Sequence, residues 1–106
     1  MARLNFPRRG EIFLVSFDPT VGSEIRKTGP ALIVQNDVAN ECSPITIVAA
    51  STSKFGPCPR PTEVPISAGE GGLTQPSVVL LNQIRSINRS RLIKRLGEVE
   101  STTLKR

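Results

Sequence analysis

Short apolar runs alternate along this chain with stretches rich in glycine, proline and small polar residues. The first run, over residues 11–17, is rich in β-branched and aromatic types and precedes a loop-like stretch over 18–29. Further runs predict strands over 30–35, 44–51, 62–66 and 77–81, and 84–87 continues or repeats the last of them. Runs this short are typical of strands rather than helices. The pattern therefore predicts a mainly β fold, in which five or so strands form a small, strongly bent sheet or barrel.

Polar segments between these runs predict the turns. Asn36-Asp37 turns the chain after the second strand, residues 53–61 form an irregular loop, and residues 68–72 form a turn. Asn88 is suited to cap a helical turn through Leu92, whereas residues 93–99 stay unassigned between a helix end and a strand. At 106 residues, one domain spanning 1–106 is expected.

The distribution of charge bears on whether the protein binds a nucleic acid. The net charge is +5, and basic side chains concentrate in residues 85–106. Such a patch attracts phosphate backbones, although a solvated basic face without a ligand explains it equally well. With four phenylalanines and no tryptophan or tyrosine, the chain is poorly supplied for binding single strands by base stacking alone.

No apolar run approaches the roughly 18 residues of a membrane span, and the basic N-terminus is followed by no signal-peptide core. These features predict a soluble, cytoplasmic protein that contacts no membrane. Cys42 and Cys58 lack the spacing of a metal knuckle, and no histidine completes a ligand set, so we assign them no role.

The residue types that are present narrow the chemistry. The absence of histidine excludes paired-imidazole ribonucleases and Ser-His-Asp triads, and the scattered acids do not form a two-metal cluster. Neither a metal nor a cofactor is expected. Hydroxyls, amides and cations remain, which suit RNA cleavage through the substrate's own 2′-hydroxyl. Thr52 is the candidate phosphate donor, with Ser23, Asn36 and Gln83 as further neutral donors, although threonine and serine at strand ends are usually structural.

Five segments in a fixed order resemble the MazF/PemK family of toxin endoribonucleases, over about residues 9–97. They are Arg9-Gly10-Glu11, Val21-Gly22-Ser23-Glu24, Pro30-Ala31-Leu32-Ile33-Val34-Gln35-Asn36-Asp37, Ile47-Val48-Ala49-Ala50-Ser51-Thr52 and Ser77-Val78-Val79-Leu80-Leu81-Asn82-Gln83-Ile84-Arg85. The resemblance implies an SH3-like β-barrel of the CcdB/PemK type, with about five to seven strands and one or more short helices. It further implies a homodimer that cuts single-stranded RNA at short motifs without metal, leaves a 2′,3′-cyclic phosphate and a 5′-hydroxyl, and is neutralised by a cognate antitoxin.

The same resemblance assigns the site. Thr52 matches the family's catalytic threonine, and Ser23 and Glu24 match its active-site loop. RNA is expected to contact residues in the loops 18–29 and 53–61 and at strand ends, namely Glu24, Arg26, Lys27, Asn36, Lys54 and Gln83.

Position 29 departs from the family pattern. The family places its catalytic arginine just before the strand-opening proline, where this chain has Thr28-Gly29-Pro30. Losing such a charge donor lowers the rate by about 10² to 10³. Three explanations are open: an inactivating substitution that lets a toxic protein be produced, a natural degenerate toxin, or relocation of the role to Arg26 or Lys27. The intact surrounding motifs favour the first.

The C-terminus also departs, because family members continue into an apolar helix that is shortened here to residues 100–106. Two rival functions remain. One is a protein-binding toxin of the CcdB type, which poisons a partner such as a gyrase, and the other is a noncatalytic RNA-binding barrel. Neither the RNA motif nor the antitoxin can be inferred from the sequence.

Overall fold

The protein is described by a computed structural model, which places residues 6–17, 28–54, 56 and 61–100. In this part of the chain six strands form: β1 (Glu11–Ser16), β2 (Thr28–Ile33), β3 (Ile45–Thr52), β4 (Glu63–Ile66), β5 (Ser77–Asn88) and β6 (Leu92–Glu98). The helical segments are α1 (Asp37–Cys42) and two 3₁₀ turns, Glu70–Gly72 and Arg89–Arg91. The prediction of a mainly β fold with about five to seven strands and short helices is confirmed.

The strands form one antiparallel sheet in the order β4-β5-β3-β2-β1-β6. Its two ends approach each other through the Glu70–Gly72 turn, which follows β4 and packs on β6. A Cβ added at Gly97 would lie 2.5 Å from the carbonyl carbon of Gly71 and 2.6 Å from the nitrogen of Gly72. Only glycine permits backbones to come this close. The sheet therefore curls until the turn after β4 meets β6.

Two apolar clusters lie on opposite faces of the central strands, as the alternation of side chains along a strand requires. The first, the turn-side cluster, is Ile12, Leu32, Ala49, Ile66, Leu73, Val79 and Val99. The second, the site-side cluster, is Val15, Phe17, Ala31, Ile33, Val48, Ala50 and Ile87. Burial on both faces explains why β2 and β3 are nearly continuous apolar runs.

A buried polar network joins α1 to the sheet. The amide group of Asn40, which is 0% exposed, donates to the carbonyl oxygen of Gln35 (2.9 Å) and accepts from Gln35 Nε2 (2.9 Å) and Thr46 Oγ1 (2.7 Å). Arg89 Nη1 donates to the backbone oxygen of Asn40 at 3.3 Å. Every polar atom of the Asn40 side chain thus has a partner, which fixes the short helix against β3.

Several sequence predictions need correction. Asn36-Asp37 is not a simple turn, because Asn36 Oδ1 accepts from the backbone N–H of Ala39 (2.9 Å) and caps α1. β2 begins at Thr28, inside the predicted loop 18–29. The two runs 77–81 and 84–87 belong to the single strand β5, and the turn predicted over 68–72 contains a 3₁₀ segment.

The predicted cap at Asn88 is confirmed, since its Oδ1 accepts from the N–H of Ser90 at 2.9 Å. Of the unassigned residues 93–99, residues 93–98 belong to β6 and Val99 follows it. Cys42 is an exposed free thiol, while Cys58 and the C-terminal residues 101–106 lie outside the described part. Within the described residues, no helix is long and apolar enough to cross a membrane.

Candidate active site

The register of β2 and β3 brings positions 29 and 52 together. Ala31 pairs with Ala50 and Leu32 with Ala49, and Ser51 Oγ donates to the carbonyl oxygen of Pro30 at 3.2 Å. Continuing this register toward the end of β3 places Gly29 opposite Thr52. Residues opposite each other on antiparallel strands have Cβ atoms about 5 Å apart and point to the same face. A side chain at position 29 would therefore face Thr52.

Thr52 lies at the end of β3, and its hydroxyl oxygen accepts one hydrogen bond. Its Oγ1 accepts from the backbone N–H of Lys54 at 3.1 Å, and the residue is half-buried. The hydroxyl hydrogen remains available to donate to an oxygen atom of a ligand. Opposite it, Gly29 is buried and contributes only backbone. The two positions that the sequence singled out thus share one small area of the sheet, with a hydroxyl on one side and no cation on the other.

β5 supplies two polar side chains near this part of the sheet. Arg85 pairs with Val48, a residue of the site-side cluster, so its side chain lies on that face. Gln83 is half-buried and lies two residues before Arg85. Between Ala49 and Ser51 the β3–β5 register shifts, because residues 80–83 bulge out beside Ala50. β-Bulges occur preferentially next to active sites, where they re-aim side chains.

The side chain of Gln83 is incompletely satisfied. Its Oε1 is buried and accepts no hydrogen bond from the residues that the structure describes. Buried acceptors usually have partners, so this oxygen needs a donor from elsewhere. An exocyclic amine or 2′-hydroxyl of RNA provides such a donor, which supports the prediction that Gln83 contacts RNA without testing it.

Arg85 was not among the sequence-predicted site residues. Its guanidinium carbon lies 5.5 Å from the centroid of the Phe17 ring, in the cation–π range. In the sequence it belonged only to the basic C-terminal stretch and to the last motif. The signal that would have identified it is its spacing of two residues from Gln83 along one strand.

The other predicted site residues are placed differently. Asn36 lies beyond the opposite end of β2 from Gly29, and its side chain caps α1. Lys54 is exposed, two residues after Thr52. Ser23, Glu24, Arg26 and Lys27 lie outside the described residues. The structure therefore places positions 29 and 52 on one face of the sheet, whereas Asn36 lies at the opposite end of β2.

Comparison with known proteins identifies the family. Residues 8–106 match the family described as "PemK-like, MazF-like toxin of type II toxin-antitoxin system". The chain belongs to this PemK/MazF family. A curated relative, Endoribonuclease EndoA of Bacillus subtilis, is 39% identical over 93 residues, which cover 88% of this chain and 80% of that protein. The resemblance seen in the sequence motifs is thereby confirmed.

Solved structures agree with the PemK/MazF assignment. MazF from Deinococcus radiodurans superposes with a TM-score of 0.80 at 27% identity, covering 95% of this chain and 88% of that chain. A mycobacterial endoribonuclease, solved in complex with its cognate antitoxin, superposes with a TM-score of 0.75 over 93% of this chain and 84% of that chain. At 23% identity, this second likeness shows the shared fold alone.

Proposed function

We propose that this PemK/MazF protein is a toxin endoribonuclease that cleaves single-stranded RNA without a metal ion. The observation that carries the proposal is the Ala31–Ala50 pairing of β2 and β3, which, continued by two residues, sets position 29 opposite Thr52 on one face of the sheet. Two side chains in that relation can hold one phosphate between them. Membership of a family whose relative is named an endoribonuclease supports the same activity.

In this reaction the substrate supplies its own nucleophile. The 2′-oxygen attacks the adjacent phosphorus and loses its proton, the bond from phosphorus to the 5′-oxygen breaks, and that oxygen takes up a proton. A 2′,3′-cyclic phosphate and a 5′-hydroxyl result. The Thr52 hydroxyl, oriented by the Lys54 N–H, donates to a nonbridging phosphate oxygen whose charge grows during the attack.

Gly29 makes this chain a weak catalyst in the proposal. A cation at position 29 would face Thr52 across the strands and stabilise the developing phosphate charge, and an acid–base role would add to its effect. Glycine supplies neither function. We expect a rate about 10² to 10³ below that of the Gly29→Arg variant.

The proposed partners follow from the family. Its description as one half of a toxin-antitoxin system supports a cognate antitoxin that neutralises this chain. A homodimer and a cytoplasmic site of action, where mRNA is translated, belong to the same proposal. That residues 1–106 form a single toxin domain also stays a prediction.

The test compares RNA cleavage by four proteins in EDTA: the unaltered chain, Gly29→Arg, Gly29→Gln and Gly29→Arg combined with Thr52→Ala. A long single-stranded RNA is the substrate, and the chemistry is checked by the cyclic phosphate on the 3′ end of the products. We expect Gly29→Arg to cleave at least about 100-fold faster than the unaltered chain. Gly29→Gln, which fills the space without charge, should not gain this activity, and Thr52→Ala should abolish it.

Other results would contradict the proposal in identifiable ways. Equal cleavage by the unaltered chain and Gly29→Arg would place the catalytic cation elsewhere. RNA binding without cleavage by any folded variant would favour a noncatalytic RNA-binding barrel. If Thr52→Ala left toxicity of the Gly29→Arg variant unchanged and no RNA were cut, a protein-binding toxin of the CcdB type would be favoured.

A further inference from the structure

Arg85 is a cation on the same sheet face as Thr52 and position 29. We propose that Arg85, held against Phe17, binds a phosphodiester group of the RNA strand next to the one that is cleaved. This inference rests on the proposed function, because RNA is taken as the ligand. Under this inference, Arg85 supplies a positive charge at the site even though position 29 is a glycine.

The strand pairings place Arg85 on this face. Its partner Val48 belongs to the site-side cluster, as does Phe17, whose ring lies 5.5 Å from the Arg85 guanidinium carbon. Phe17 follows Val15 by two residues, and Val15 pairs with Gly29. The Phe17 ring thus links the guanidinium of β5 to the end of β1 that borders position 29.

Arg85 differs from Arg8 and Arg95, which both face carboxylates in the described part of the chain. Arg95 contacts Glu11 at 2.5 Å and Glu98 at 3.6 Å, and Arg8 lies 3.9 Å from Asp37. No carboxylate of the described residues lies within 4.0 Å of the half-buried Arg85. A half-buried cation that faces no carboxylate among the described residues is stabilised by binding an anion.

The guanidinium suits a phosphodiester for two reasons. Its planar set of donors matches two oxygens of one phosphate, and its contact with the Phe17 ring fixes the plane before the ligand arrives. Gln83, two residues before Arg85 on β5, carries a buried Oε1 that has no hydrogen-bond partner among the described residues. Arg85 is thus the donor set, and Gln83 is a neighbouring polar side chain whose hydrogen bonding the described residues leave incomplete.

The experiment measures binding without chemistry. Fluorescence anisotropy follows a labelled, mixed-sequence 2′-O-methyl oligoribonucleotide, which lacks the nucleophile, over a series of salt concentrations. Arg85→Gln is compared with the unaltered chain and with Lys94→Gln, which removes one charge from an exposed position paired with Leu14, on the other face of β1. We expect Arg85→Gln to weaken binding about tenfold and to lower the salt slope by about 0.7, whereas Lys94→Gln changes affinity by less than about twofold.

Two further variants keep the result interpretable. Arg85→Lys retains the charge without the planar donor set, so we expect it to bind less tightly than the unaltered chain but more tightly than Arg85→Gln, with an unchanged salt slope. If Arg85→Gln fails to unfold cooperatively on heating, Arg85→Met replaces it, because its unbranched apolar side chain keeps the contact with Phe17. Equal effects of Arg85→Gln and Lys94→Gln would overturn the inference, and so would equal losses in Arg85→Lys and Arg85→Gln.

The outcome is separable from that of the proposed function. A selective loss of binding in Arg85→Gln, together with no cleavage by Gly29→Arg, would support the phosphate contact and refute the nuclease. Cleavage by Gly29→Arg, with unchanged binding by Arg85→Gln, would support the nuclease and refute the phosphate contact at Arg85.

Discussion

Replacing Asn40 by leucine removes a buried hydrogen-bond network while nearly conserving side-chain volume. Thr46 Oγ1, which is 0% exposed, loses its acceptor, and the half-buried Gln35 loses one partner of its side chain and one of its carbonyl oxygen. Leaving a fully buried hydroxyl without a partner costs about 1 to 3 kcal/mol, and removing one hydrogen bond from a partly exposed group costs about 1 kcal/mol. We expect a loss of about 3 to 5 kcal/mol in the free energy of unfolding.

Urea denaturation followed by circular dichroism measures this loss. In a chain of this length, each kcal/mol lost from the free energy of unfolding lowers Tm by about 4 to 8 °C. Thr46→Val is the matched control, because it deletes one hydrogen bond and leaves Gln35 bonded to Asn40. In the Asn40→Leu/Thr46→Val double variant, the loss of unfolding free energy should be about 1 kcal/mol smaller than the sum of the two single losses. The reason is that position 46 then carries no hydroxyl that lacks a partner. A loss below about 1.5 kcal/mol for Asn40→Leu, or strictly additive effects, would refute the argument.

Three further substitutions test other parts of the structure. Gly97→Ala places a Cβ against the backbone of the Glu70–Gly72 turn and should destabilise the fold by about 2 kcal/mol or more in thermal unfolding, whereas Gly56→Ala, with nothing within 4 Å, should not. Gln83→Leu deletes a buried acceptor that has no partner among the described residues, so Tm should rise while RNA binding weakens. Asn36→Ala should lower stability by about 1 kcal/mol through loss of the α1 cap, and unchanged RNA affinity would contradict its predicted contact.

The strands were predictable where the sequence carries a local signal. β1 and β3 are runs of β-branched residues between turn formers, and their observed bounds agree with the predicted ones within one or two residues. The helix α1 was missed because its six residues are too short to show a helical period. An asparagine such as Asn36 stabilises turns and helix N-termini through the same side-chain hydrogen bond, so its presence does not show whether a turn or a helix follows β2.

β6 depends on contacts that no local pattern contains. Its residues 93–97 read Ile-Lys-Arg-Leu-Gly, without clear alternation, and they form a strand because they pair with β1 at the other end of the chain. Gly97 is required there by the close approach of Gly71 and Gly72 rather than by a turn. Such tertiary requirements override local preference.

The candidate site was predictable in its members more than in its arrangement. Thr52 and Gly29 were identified by motif, but their opposition follows from the β2–β3 register, which a single sequence does not specify. Arg85 was missed because Asn82-Gln83 interrupts the apolar run, so β5 was divided into two pieces. The bulge beside Ala50 accommodates that interruption within one strand.

The pairing of β1 with β6 has a consequence for how the protein is made. The ladder joins Glu11 to Glu98, so it cannot form until all of residues 11–98 have been synthesised. At roughly 5 to 20 residues per second, β1 waits on the order of several seconds with one edge unpaired. Pairings of such long sequence separation also form late and slowly in refolding. The sheet that carries Thr52 is therefore completed only after β6 has left the ribosome, so the site cannot be fully assembled on a chain that ends before residue 98.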